Sequence, residues 1–139
     1  MTSPKPRFVI DTGVLVSSLI RTDSPPYQAF QKAKAEGTIL FSVPLLTEFT
    51  TVIQRPKLQR FINPQYAWEF LQTLLEVVDY VHTLPQIKAC RDPKDDKVLE
   101  LAVGGSAHAI ISSDADLWVL HPFQGIPIVS PGEFSRGGL

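Results

Sequence analysis

The chain has 139 residues, 44% of them hydrophobic, with 13 Lys and Arg against 14 Asp and Glu for a formal net charge of −1. That suffices for one domain around one sizeable core, expected over about residues 7–134, and it argues against a broadly cationic surface while leaving room for a local basic patch. A single cysteine, Cys90, excludes an intrachain disulfide and suits a reducing interior. The opening stretch MTSPKPRFVID has no long apolar core and no cleavage-site pattern, and no run is long enough to span a bilayer, so a cytoplasmic protein without a membrane partner is expected.

Phe8-Val9-Ile10 reads as a short buried strand, with Asp11 at its C-terminal end. An apolar helix is expected over Val14 to Ile20. Ser24-Pro25-Pro26 opens the next helix and Gly37 ends it. Ile39-Leu40-Phe41 is a second buried strand. Ser42-Val43-Pro44 starts a helix with an apolar stripe of Leu45, Phe49, Val52 and Ile53, stopped at Arg55-Pro56. Asn63-Pro64 starts another, which runs into a strand near Val77 to Val81. Pro85 to Pro93 reads as loop. Asp95 or Asp96 opens a helix that Gly104-Gly105 closes. Ala109-Ile110-Ile111 is a strand leading into Ser112-Ser113-Asp114. Ile126 to Val129 is a last strand, placed at a sheet edge by Pro127. The tail from Ser135 to Leu139 is expected to fray. Strands alternating with helices predict an α/β domain, a mainly parallel sheet covered on both faces, with its site beyond the C-terminal strand ends.

Acids stand at those ends. Asp11 follows the first strand, where the bland alternative is a helix N-cap. Glu48 shares a helix face with Leu45 and Val52, which a surface glutamate should avoid. In Arg91-Asp92-Pro93-Lys94-Asp95-Asp96-Lys97, helical spacing aligns Asp95 with Val98, Leu99 and Ala102, and Asp96 with the mixed face of Leu99, Glu100 and Val103. Asp95 is therefore the expected inward residue, although acids in a first turn also simply suit the helix dipole. Asp114 and Asp116 bracket Ala115 just after a strand, beside Ser112 and Ser113. Carboxylates gathered in one place repel and call for a cation. An all-oxygen set selects a hard one, Mg2+ or Mn2+. His82, His108 and His121 lack metal-ligand spacing.

The segments FVIDTGVLVSSL, SVPLLTEFTTVIQRPKL, CRDPKDDKVLELA, AIISSDADLWVL and GIPIVSPGEF, in that order, resemble the PIN-domain family, and within it the VapC-like ribonuclease toxins of toxin–antitoxin pairs. The resemblance spans about Arg7 to Phe134. It implies a three-layer α/β/α sandwich and a metal-dependent endoribonuclease. By motif, Asp11, Glu48, Asp114 and an acid of DPKDD are the implied catalytic and metal-binding residues. That motif admits either Asp95 or Asp96. Asp92 and Asp116 fall at commonly acidic, outer positions, and Thr12 and Ser112 where the family tends to carry a hydroxyl. Hydrolysis by metal-activated water should leave a 5′ phosphate and a 3′ hydroxyl. Candidate RNA contacts are Arg55, Lys57 and Arg60, together with Arg21, Lys94 and Lys97. A small antitoxin is the implied partner. A homodimer is expected through the helices after Ser24 and Asn63, using Tyr27, Phe30, Tyr66, Trp68 and Phe70. Asp11-Thr12-Gly13 also matches the triplet of aspartic proteases, but that fold is all-β. The remaining alternative is a PIN-like module that binds RNA or protein without cutting.

Overall fold

The computed structural model describes residues 4–137. Five strands form one sheet: β1 (Arg7–Ile10), β2 (Thr38–Phe41), β3 (Asp79–Tyr80), β4 (Ala109–Ile111) and β5 (Ile128–Val129). Their order is β3-β2-β1-β4-β5 and every pairing is parallel. Register on β1 runs Phe8 to Ala109, Val9 to Ile110 and Ile10 to Ile111. The three central strands are apolar runs because helices cover both of their faces; Val9, Leu40, Phe41 and Ile110 are wholly buried. β5 is an edge strand, as Pro127 requires. Pro127, lacking an N–H, joins the ladder through its carbonyl alone, which accepts the Ile110 N–H at 2.8 Å, and the Val129 carbonyl accepts the Ser112 N–H at 2.9 Å.

The helices are α1 (Thr12–Ile20), α2 (Pro25–Glu36), α3 (Val43–Ile53), α4 (Pro64–Val77), α5 (Asp96–Gly104), α6 (Ala115–Trp118) and α7 (Pro131–Ser135). Caps set the starts of the longer helices α2, α3 and α4: Ser24, Ser42 and Asn63 each accept first-turn N–H groups, with Pro in the first turn. Gly37 ends α2 in extended backbone (φ −153°), so left-handed freedom is not its reason. A Cβ there would collide with the Pro6 carbonyl oxygen and the Phe8 ring.

Two short helices depart from the reading of the sequence. α6 is too brief to show periodicity. α7 carried a legible sign in Ser130-Pro131-Gly132-Glu133, which forms a capping box. The tail expected to fray from Ser135 onward begins inside α7, while Gly138 and Leu139 lie outside the described residues. No described helix is long and apolar enough to cross a membrane. The aromatics assigned to a dimer surface divide. Phe30 is buried and Phe70 packs tilted against both it and Phe49 at 5.1 and 6.1 Å, so Phe30 belongs to the core and Phe70 packs against it. Tyr66 and Trp68 are exposed.

In this strand order the chain leaves β1 for β2 on one side and meets β4 on the other. Between β1 and β4 the connections diverge, and a crevice opens at the C-terminal strand ends.

Candidate active site

Asp11 stands at that divergence. It occupies the N-cap position of α1, and its carbonyl accepts the Val14 and Leu15 N–H groups at 3.0 and 3.2 Å, but its carboxyl makes no capping bond. The carboxyl instead turns across to β4, where the Ser112 hydroxyl donates to Oδ2 at 2.8 Å. The Ser112 oxygen in turn accepts the Asp114 N–H at 3.0 Å, and the Trp118 indole N–H holds the Ser112 carbonyl at 2.8 Å. A strand-end serine thus ties two acids together across the crevice. Burial pushes the Asp11 carboxyl above its ordinary value; the Ser112 bond opposes this, and the nearby charges of Glu48 and Asp114 reinforce it. Glu48 on α3 and Asp114 after β4 are thus both close enough for their charges to act on Asp11.

Asp95 and Asp96 separate cleanly, and not on the helical face used above. Asp95 lies in a 3-10 turn (Pro93–Asp95) and α5 begins at Asp96, so a single helical wheel does not apply. Asp96, rather than Asp95, is the more buried. Its Oδ1 accepts the N–H groups of Cys90 at 2.8 Å and Ala89 at 3.0 Å, which hold its pKa below the usual value. Asp95 is the one that meets the other acids. Its pKa is pushed up to about 6, first by burial, then by the charges of Asp114, Asp11 and Asp92. Asp92 caps the turn by accepting the Lys94 N–H at 3.0 Å. Asp114 caps α6 by accepting the Asp116 N–H at 2.9 Å, and Asp116 makes a long pair, 3.6 Å, with the exposed Arg91.

Glu48 has a cation that nothing in the sequence announced. Lys97 on α5 donates to Glu48 Oε2 at 2.8 Å with both side chains mostly covered, and also to the Lys94 carbonyl. Lys94, Lys97 and Arg55 gather in one cavity beside Glu48. Lys57 and Arg60 sit on an exposed turn past α3 and Arg21 at the end of α1; none of the three lines that cavity. Histidine stays out of the cluster: His108 and His121 each accept a backbone N–H through Nδ1. Burial, then Asp96, pushes the Cys90 thiol up to about 12, away from the low-pKa surroundings of reactive cysteines.

The donor chemistry fits a hard divalent cation. Asp11, Asp95 and Asp114 crowd like charge, Ser112 supplies a hydroxyl, and the Thr12 hydroxyl, one residue from Asp11, is buried without a hydrogen-bond partner among the described residues. The spacing is looser than the chemistry. Among the described residues no three His, Cys, Asp or Glu side chains converge tightly enough to hold an ion as they stand, and Glu48 is turned to Lys97.

A parallel sheet in the order 3-2-1-4-5, flanked by helices and with acids at its divergence, is a three-layer α/β/α sandwich of PIN type. The family model described as PIN domain matches residues 7–116, and the chain belongs to that family. Among solved structures it is similar to a chain of the crystal structure of VapBC2 from Rickettsia felis bound to a DNA fragment from their promoter. The TM-score is 0.59 at 11% identity, over 89% of this chain and 98% of that one. At such identity the likeness is one of fold. No curated protein matches the chain.

Proposed function

We propose that this PIN-domain protein is a metal-dependent endoribonuclease, and the toxin of a toxin–antitoxin pair. The observation that carries the reading is Asp11, bonded to Ser112 across the β1–β4 divergence and facing Glu48, Asp95 and Asp114. Asp11, Asp95 and Asp114, drawn closer, with Glu48 released from Lys97, would hold Mg2+ or Mn2+, which when bound supplies a Lewis acid that acidifies water and offsets charge on a scissile phosphate. Ser112 orients Asp11. Trp118 orients Ser112 in turn. Asp92 and Asp116 add negative charge from the rim, and the unpaired Thr12 hydroxyl is a further oxygen beside Asp11. Water activated in this way is the nucleophile, and the products are a 5′ phosphate and a 3′ hydroxyl. A 2′,3′-cyclic phosphate product would count against this assignment.

The toxin reading is supported by the resemblance of the motifs to VapC-like proteins and by likeness of fold to VapBC2. Its partner would be a small antitoxin that masks the acids, with a basic side chain taking the place Lys97 takes on Glu48. Such a pair works in the cytoplasm. Filled positions at all four acids argue against a module that binds without cutting.

Cleavage of single-stranded RNA with Mg2+ or Mn2+, without metal, and in Asp11→Asn and Glu48→Gln tests the reading. Both variants should fold and lose cleavage by at least about a hundredfold, as expected when a preorganised charge-stabilising group is removed. Metal-independent cleavage, or full activity in Asp11→Asn, would overturn it.

A further inference from the structure

A polyanion approaching these acids meets like charge on a protein of net charge −1. Attraction has to come from cations set beside the acids. A cavity of about 530 Å3 opens beside α3, and Glu48 lines it. From α3 and the residues just after it come Val43, Pro44, Val52 and Arg55; Lys94 and Lys97 come from the turn before α5 and from its first turn. Lys97 is committed to Glu48 at 2.8 Å. Arg55 and Lys94 are exposed and have no acidic partner among the described residues. Val43 is 65% exposed and, with Pro44 and Val52, gives the cavity an apolar surface into which Thr47 and Thr51 set two hydroxyls.

We infer that this cavity seats the nucleotide next to the scissile bond of a single-stranded RNA. Arg55 and Lys94 bind its phosphate, and the surface of Val43, Pro44 and Val52 takes a ribose or a base face. The inference rests on the nuclease reading and names a subsite within it. Pairing two free cations with an apolar surface suits a nucleotide, which presents a charged phosphate and a flat apolar ring. The size suits one splayed-out nucleotide rather than a duplex.

Arg55, Lys94 and Val43 are all exposed, so substitution there leaves the core intact. In an Asp11→Asn background that cannot cleave, binding of a single-stranded RNA oligonucleotide is followed by fluorescence anisotropy across a salt series. Arg55→Gln and Lys94→Gln should each reduce the slope of log affinity against log salt by about 0.7, the value for one phosphate contact to a single strand. Val43→Asp should weaken binding severalfold. In the cleaving protein the same substitutions should raise KM and hold kcat within about twofold, the mark of lost uniform binding. Unchanged slopes, with metal-dependent cleavage by the wild type, would overturn the subsite and leave the nuclease reading standing. Unchanged RNA slopes with lost affinity for a polyglutamate peptide would overturn it in favour of an acidic protein partner. Absence of any metal-dependent cleavage by the wild type would remove the nuclease reading and the subsite with it.

Discussion

Asp96 accepts two backbone N–H groups from the segment that leads into the 3-10 turn, while Asp95, one position earlier, lies within reach of the charges of three other carboxyls. Their chemical likeness in sequence hides opposite physics. Asp96→Ala should lower the melting temperature and speed amide exchange at Ala89 and Cys90, because it leaves two donors without an acceptor. Asp95→Asn should leave the melting temperature of the metal-free protein unchanged or raised, since it removes repulsion, and should abolish cleavage. Calorimetry beside an RNA-cleavage assay distinguishes the two. A fall in stability with retained activity in Asp95→Asn would exchange their roles. The resemblance narrowed the third acid to this pair, and helical spacing favoured Asp95 as the inward one, whereas Asp96 is the more buried. Choosing between them needed the point at which the 3-10 turn gives way to α5, which no spacing rule supplies.

Among the elements, α3 couples packing to the site most directly. Leu45 and Phe49 are wholly buried on its inner side, and Glu48 stands beside them. Phe49→Ala removes a ring packed on Phe70 at 6.1 Å and should cost about 3–5 kcal/mol by urea denaturation. In a form still folded at low temperature, the same change should loosen Glu48 and weaken divalent-ion binding. Undiminished ion affinity would show that α3 does not position its acid. This helix was legible because Ser42 and Pro44 mark its start and its stripe has helical period. Its partnership with α5 through Lys97 was not, because an exposed-type lysine in a charged run carries no sign of its partner 49 residues away.

For the molecule as a whole, the raised carboxyls set a direction for stability against pH. Asp95 has a folded-state pKa of about 6 against an ordinary 3.8, and Asp11 is raised as well. In that window the folded state binds more protons than the unfolded chain, so stability falls as pH rises through it. Asp96, with its pKa lowered, acts the other way, but below its ordinary 3.8. In chelator, the melting temperature should therefore rise as pH is brought from about 7 to about 5, and Asp95→Asn should flatten the rise. Saturating Mn2+ should flatten it too, by supplying the charge the protons supply at low pH. A melting temperature that falls steadily over that range in chelator would show that the acids do not repel as placed.

The sequence by itself determined the alternation of strands and helices, the capped starts of α2, α3 and α4, the edge position of β5 and the set of acids from which a site could be drawn. These are local properties, written in turn chemistry and in the period of apolar residues. Only the tertiary structure decided which acids meet. Asp11 reaches Ser112 across 101 residues because β1 pairs in parallel with β4, and Glu48 meets Lys97 because α3 packs against α5. Convergence of that kind depends on strand order and helix packing, and neither is encoded at any single position of the chain.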